Sequence, residues 1–334
     1  MSKMKRKIKS IAADSPLLWK AVKKGQELKF DLDYFRYYGP YSTDKASTTE
    51  INLEFSSACN LRCKFCALDH SKPKVYMSVE VLDRVFKNLL HDERFEGVTT
   101  VNLHNGGETL MHPHRLQLFR RIAAYKGLFR VKGKRFPKIV LLTNGMLLRE
   151  NLSRDILKMH VLDEVGFSLD GGSPEAFEDM RVNARWEKFA RNVEDFVDLR
   201  NQIDPAVKTF GVCIVPKPHS LNDSWMELSF QRIARELDSV EFRRLHDWGG
   251  KIEIDDKGEV NKKGCDLLVK QLVILPNGDV TICCNDLNSE GVVGNVLDTS
   301  LYEIYKSKQR LEYLELMKNS RKDEIDLCRE CVSY

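Results

Sequence analysis

Three cysteines, Cys59, Cys63 and Cys66, stand in Ser57-Ala-Cys59-Asn-Leu-Arg-Cys63-Lys-Phe-Cys66-Ala67. Three thiolates can hold three irons of a cubane [4Fe–4S] cluster and leave the fourth iron open for chemistry, where a fourth thiolate would close it. Structural zinc is the alternative reading, and it usually needs a second matching pair of cysteines. An open iron needs a ligand and an electron, and the ligand needs groups elsewhere in the chain to hold it.

Such groups follow at regular intervals. Asn105-Gly106-Gly107-Glu108 combines glycines, which let backbone approach a ligand closely, with a carboxylate. Thr143-Asn144-Gly145 and Ser168-Leu-Asp170-Gly-Gly come next, and Ser168 and Asp170 alternate with Leu169, so both can face one side of a sheet. Taken singly, the first two are ordinary glycine turns. Taken together and in this order, they resemble the radical S-adenosylmethionine (SAM) enzymes. The resemblance implies that SAM chelates the open iron through its amino and carboxylate groups, and that one electron from the cluster yields a 5′-deoxyadenosyl radical. It implies that Gly106, Gly107 and Glu108 receive the SAM ammonium, and that Asn144, Ser168 and Asp170 lie along the cofactor. Phe65 stands near adenine in that reading. Arg181 is either a partner of the SAM carboxylate or a surface arginine. The family's glycine pattern on the fifth strand is missing from Thr209-Phe-Gly-Val-Cys-Ile-Val215.

A second cysteine set comprises Cys265, Cys283 or Cys284, Cys328 and Cys331. Four thiolates can close one [4Fe–4S] cluster; zinc on four cysteines ending in C-x2-C is the alternative. The stretch Ile274-Leu-Pro-Asn-Gly-Asp-Val-Thr-Ile-Cys-Cys-Asn-Asp286 followed by Gly294-Asn-Val296 resembles the SPASM/twitch extension of radical SAM enzymes. That resemblance implies one auxiliary cluster, with Cys283 favoured over Cys284 as ligand. Cys213 lies apart in an apolar run and reads as a small core residue.

These groups need a frame. Glu50-Ile-Asn-Leu-Glu-Phe55 alternates as a half-buried strand does. Further strands are expected at 99–104, 138–143, 163–169, 207–215 and 240–245. Helices are expected at 79–90, 113–124, 149–159, 174–201 and 225–237, the first capped by Ser78. Six strands alternating with helices predict a parallel sheet, here a partial (β/α)6 barrel whose functional groups gather at the C-terminal ends of the strands. Pro276-Asn-Gly278 between apolar runs predicts a hairpin, and a helix is expected over 300–318. The expected organisation is a basic and aromatic extension without clear period over 1–48, a barrel over 49–247 and a small α+β auxiliary-cluster domain over 248–334.

The chain of 334 residues carries a net charge of +4. Residues 1–24 hold eight Lys and Arg against Asp14, so the remainder is −3, which argues against a nucleic-acid enzyme. A basic arm there could touch an anionic surface; a solvated leader is the preferred reading. No apolar run of membrane-spanning length and no secretory signal stand out. Nine cysteines at short spacings read as ligands in a reducing compartment, hence a cytoplasmic protein.

The expected activity is that of a SAM-dependent oxidoreductase on a carbohydrate, cyclitol or other small molecule, with the auxiliary cluster accepting an electron. Its reducing partner would be a donor such as flavodoxin or ferredoxin. His246 and Asp247, directly after the sixth strand, are candidate bases, with a helix cap or hydrogen-bonded turn as the alternative for the pair. Lys217 and His219 could bind substrate or lie on the loop surface. A peptide- or protein-modifying enzyme is the second reading; the short stretch before the barrel tilts against a leader-binding domain. GTP cyclisation is a related option, and the family's Gly-Gly ending is replaced by Val332-Ser-Tyr334. A non-enzymatic zinc or iron–sulfur module is the reading of another class.

Overall fold

The alternation at 50–55 does what it must: Ile51, Leu53 and Phe55 are fully buried against helices, while Asn52 and Glu54 point to the other face of the sheet. The computed structural model describes residues 16–40, 42–216, 218–254 and 262–332. Lys217 and the lysines of the first fifteen residues lie outside them.

The elements are α1 (Pro16–Tyr38), β1 (Glu50–Leu53), β2 (Arg62–Cys63), α2 (Val79–His91), β3 (Thr100–Asn102), α3 (Arg115–Val131), β4 (Lys138–Thr143), α4 (Glu150–Leu157), β5 (Glu164–Ser168), α5 (Pro174–Met180), β6 (Arg181–Val182), α6 (Trp186–Ile203), β7 (Lys208–Ile214), α7 (Leu228–Glu236), β8 (Ser239–Arg243), α8 (Asp266–Lys270), β9 (Gln271–Ile274), β10 (Asp279–Thr281), β11 (Val292–Asn295), α9 (Leu301–Tyr305) and α10 (Lys308–Lys318). Among the described residues the main sheet runs β11-β10-β9-β1-β3-β4-β5-β7-β8. Strands β1, β3, β4, β5, β7 and β8 are parallel, as the alternation with helices requires. The helices cover one face: Val81, Leu82, Val85, Phe86 and Leu89 of α2 are buried, and Ser78 caps that helix by accepting from the Val81 amide at 3.2 Å.

The sheet is curved. Were it flat, four strand spacings would put β8 about 19 Å from β3, yet Arg243 at the end of β8 is close enough to lower the pKa of His104, just past β3. The C-terminal ends of the strands therefore surround a common space, as in a partial (β/α)6 barrel.

Several expectations change. The extension contains a 23-residue helix, α1, whose Phe30 is 1% exposed and whose Tyr34 hydroxyl donates to Glu315. Its period is hidden because apolar residues occupy two opposite faces. The long helix expected over 174–201 is split by β6, which pairs antiparallel with β2. The helix expected over 300–318 breaks where Ser307 starts a new one by accepting from the Arg310 amide at 3.4 Å. Strand β9 pairs parallel with β1, so the sheet runs on through the boundary expected near residue 248, and β10 and β11 extend it antiparallel. The hairpin stands, with Gly278 at φ +91°.

Candidate cluster and cofactor site

The cysteine loop leaves β1 and is tied down from two sides. Cys63 pairs with Arg181 in the β2–β6 ribbon, and the Lys64 amide donates to the Met180 carbonyl at 3.0 Å. On the other side the Glu108 amide donates to the Ala58 carbonyl at 2.8 Å. Gly107 is required there: a Cβ would lie 1.9 Å from the Ser56 carbonyl oxygen.

The three thiols lie within reach of one another's charge. Burial lifts all three, Cys59 to about 11, with Cys63 adding to Cys59, Cys66 to Cys63 and Cys59 to Cys66. The Arg181 guanidinium opposes the rise at each of them and stands 3.8 Å from the Cys63 sulfur. Asn144 Nδ2 is 3.9 Å from the Cys59 sulfur. Among the described residues no three His, Cys, Asp or Glu side chains form a group that could hold a metal ion. Three thiols around one guanidinium, with amide and guanidinium N–H groups aimed at sulfur, suit a cluster held by three cysteines, because cluster sulfurs accept such bonds.

Glu108 is buried and ties three segments together. One oxygen accepts from the Thr143 hydroxyl at 2.8 Å and the Leu110 amide at 3.1 Å; the other accepts from the Asn144 amide at 2.8 Å. Three donors against about four lone-pair positions leave room for one more. Burial raises its pKa. Asn144 is held by its own side chain, which donates to Asn60 at 3.0 Å.

Asp170 and Arg181, expected along the cofactor, are paired with each other. Arg181 Nε and Nη2 both donate to one Asp170 oxygen, the first at 2.7 Å, while the other Asp170 oxygen accepts from the Ile214 amide at 2.5 Å. Both are buried, so Arg181 is no surface arginine. A guanidinium carried inward by β6 needs a counter-charge, and Asp170 supplies it. Ser168 is half-buried at the end of β5, and Phe65 lies 5.5 Å from the Arg181 guanidinium.

Glu54 was not expected in the site. It is 2% exposed, and it accepts from the Gly106 amide at 2.9 Å. Burial pushes its carboxyl up to about 7, against the hydrogen bonds from Gly106, Asn105 and Gly107. The only sequence signal was a glutamate at an alternate position of β1.

The second cysteine set also converges. Burial lifts Cys265 to about 11, with Cys283 adding and Lys322 opposing. Burial raises Cys328 too, with Cys265, Cys283 and Cys331 adding. Cys283 is thus the member of the Cys283–Cys284 pair that faces the others, and its own rise comes from the Cys284 contact and burial. Lys322 is 1% exposed beside Cys265 and Cys328. Four thiols and a buried cation suit a cluster of net negative charge.

A short segment after β8 joins the two cysteine loops. Trp248 Nε1 donates to the Phe65 carbonyl at 2.8 Å, between Cys63 and Cys66. Asp247 is fully buried; one oxygen accepts from the Gly249 amide at 3.3 Å and the other from the Val332 amide at 2.9 Å, next to Cys331. It acts as a clamp, in line with the turn reading, and is shut off from any substrate. His246 is half-buried against Trp248, ring centroids 4.2 Å apart. Burial and Arg243 lower its pKa to about 4. His104, missed in the sequence, is lowered likewise to about 4 by burial and Arg243. His219 stacks on Trp225 at 4.8 Å on the loop after β7.

The chain matches the family model of the radical SAM superfamily over residues 53–217 and that of an iron–sulfur cluster-binding domain, SPASM, over residues 265–332. It is 30% identical over 286 residues to the antilisterial bacteriocin subtilosin biosynthesis protein AlbA of Bacillus subtilis, covering 76% of this chain and 59% of AlbA. It is 25% identical over 149 residues to a GTP 3′,8-cyclase of Desulforamulus reducens, covering 45% of this chain and 42% of the cyclase. The aligned stretch is thus less than two thirds of either relative. The solved structure of BtrN in complex with AdoMet and 2-DOIA superposes with a TM-score of 0.58 at 17% identity, covering 86% of this chain and 93% of BtrN. No helix among the described residues is long and apolar enough to cross a membrane. With three thiols at the barrel mouth and four in the following domain, both where the two family models match, the chain is an enzyme of the radical SAM superfamily that binds SAM and a [4Fe–4S] cluster and carries a SPASM-type iron–sulfur domain.

Proposed function

We propose that this enzyme oxidises a secondary alcohol of a carbohydrate, cyclitol or other small molecule by two electrons. Cys59, Cys63 and Cys66 hold the SAM-binding cluster, and Cys265, Cys283, Cys328 and Cys331 hold one auxiliary cluster. When bound, these groups supply a hydrogen-abstracting radical and an electron acceptor. Converting the alcohol to a ketone removes one hydrogen atom from carbon, one proton from oxygen and one electron; the first goes to the radical, the last to the acceptor. The proton needs a base. His246, beside Trp248 on the segment after β8 and kept neutral at pH 7 by burial and Arg243, accepts it. Glu108 and Asn144 brace the cofactor loops, and Arg181 holds positive charge beside the thiols.

The observation that carries this reading is the position of His246, on the segment that touches both cysteine loops. The coextensive superposition with BtrN supports a small-molecule substrate. The similarity to AlbA supports a second reading, modification of a peptide or protein. Either activity needs a reducing donor such as flavodoxin or ferredoxin, and a reducing compartment such as the cytoplasm suits both thiol sets.

Anaerobic reconstitution followed by single-turnover assays tests the reading. About eight irons per chain are expected, falling to about four in the Cys59/Cys63/Cys66→Ala variant. With dithionite and SAM, a panel of cyclitols and sugars should give one ketone per 5′-deoxyadenosine. Release of 5′-deoxyadenosine driven only by peptides would overturn the small-molecule reading.

A further inference from the structure

Helix α1 packs through Phe30, Tyr34 and Tyr38, which meet Gly264, Glu315 and Tyr305 of the C-terminal region. The opposite face is apolar as well. Leu18, Ala21, Gly25, Leu28, Leu32 and Phe35 follow at steps of three and four residues, and all six are exposed. Leu28, Leu32 and Phe35 are 61%, 63% and 60% exposed, and Leu17 at the rim is 83% exposed. A 3-4 step over six positions is the spacing of a coiled-coil seam, here about 26 Å long. Exposed apolar side chains gathered on one helix mark an interaction site, where scattered ones do not.

The charges beside the seam are mostly cationic. Lys29 and Arg36 border one edge, Lys20 and Lys24 the other, and all four are exposed. One carboxylate, Asp31, shares the Lys20 and Lys24 edge and is held by Lys263 at 2.6 Å; Glu27 and Asp33 lie further round and face Lys24 and Lys29, and all three are half-buried. The exposed face is therefore apolar and cationic.

We propose that α1 is a docking helix for an acidic amphipathic helix of a partner protein. The occupant's chemistry follows from the seam. Carboxylates at the flanking positions of the partner would meet Lys20, Lys24, Lys29 and Arg36. A second copy of this chain would set Lys20, Lys24, Lys29 and Arg36 against the same four cations, with its one flanking carboxylate, Asp31, already held by Lys263. Residues 1–15, with five Lys and Arg against Asp14, carry the same sign as the seam's borders. A membrane face would gain from bulk at every position, whereas Ala21 and Gly25 make a notch mid-seam. A Cβ at Gly25 would meet nothing within 4 Å, which leaves room for a partner side chain to enter. The inference stands apart from the choice of substrate.

The test uses the full-length, cluster-loaded enzyme and three probes. These are a four-heptad synthetic helix with leucine at its seam and glutamate on both flanks, the same peptide with lysine flanks, and vesicles containing phosphatidylserine. The glutamate peptide should bind at least tenfold more tightly than the lysine peptide at low salt, and more weakly as salt rises. Leu28→Glu/Leu32→Glu should cut that affinity at least tenfold while iron content and circular dichroism stay unchanged. Lys20→Glu/Arg36→Glu should weaken the glutamate peptide and strengthen the lysine peptide. Equal binding of both peptides, binding of vesicles alone, a dimer in sedimentation that Leu28→Glu/Leu32→Glu dissolves, or no binding of any probe would each overturn the proposal.

Discussion

The indole Nε1 of Trp248 donates to the carbonyl oxygen of Phe65 at 2.8 Å, so a residue just past the last barrel strand grips the loop between two cluster cysteines. Asn288, on the loop after Cys283, grips the same loop further on: its Nδ2 donates to the Ala67 carbonyl at 2.9 Å, its Oδ1 accepts from the Asp69 amide at 3.0 Å, and its carbonyl accepts from Lys72 at 2.7 Å. The auxiliary region thus holds the loop on which SAM chelation depends.

Trp248→Phe keeps the ring and loses the donor; Asn288→Leu loses two bonds. Each lost bond costs about 1 kcal/mol, so SAM affinity should fall roughly fivefold per bond, with faster amide exchange over 65–70. Isothermal titration and hydrogen exchange would check this. Unchanged protection of that loop in both variants would count against the brace.

Arg181→Met leaves Asp170 buried without its counter-charge. Breaking one side of a buried pair costs about 3–5 kcal/mol, and thermal unfolding should show the loss. Arg181→Met/Asp170→Asn should recover much of it, because the amide still accepts from the Ile214 backbone and carries no charge.

Glu54 gives a pH signature. Its folded pKa, about 7, lies above the ordinary carboxyl value of 4.5, so the unfolded chain releases the proton first as pH rises. Stability from this group is intact below pH 4.5 and falls as pH climbs from there to about 7, by about 3 kcal/mol in all. Glu54→Gln should remove that slope. Denaturant unfolding at pH 5 and pH 8 should show the variant gaining on the wild type at the higher pH; parallel profiles would show that Glu54 stays ionised in the fold.

Asp247 and His246 should separate cleanly. Asp247→Ala orphans the Gly249 and Val332 amides and should lower the melting temperature, at about 1–3 kcal/mol per unsatisfied buried donor. His246→Gln should leave stability and 5′-deoxyadenosine release near wild type while reducing ketone formation. Product assays set beside melting curves would distinguish the two.

The sequence carried the strands, their parallel order and both cysteine sets, because alternation and ligand spacing are local properties. What it hid depends on return of the chain. Asp170 and Arg181 find each other only once β6 lies along β2. Asp247 follows a strand, where a base would stand, and becomes a clamp only when residue 332 folds back on it. Helix α1 escaped notice because its inward aromatics and outward leucines cancel as a pattern.

The parallel pairing of β1 with β9 bears on how the chain is made. During synthesis β1 acquires β3 on one side, and then waits more than two hundred residues for its other neighbour. Until Gln271–Ile274 leave the ribosome, the partial barrel keeps one bare strand edge with Asn52 and Glu54 unmatched, and bare edges invite pairing with other chains. Truncation before residue 265 would make that state permanent, so the iron–sulfur domain also covers the barrel's open edge.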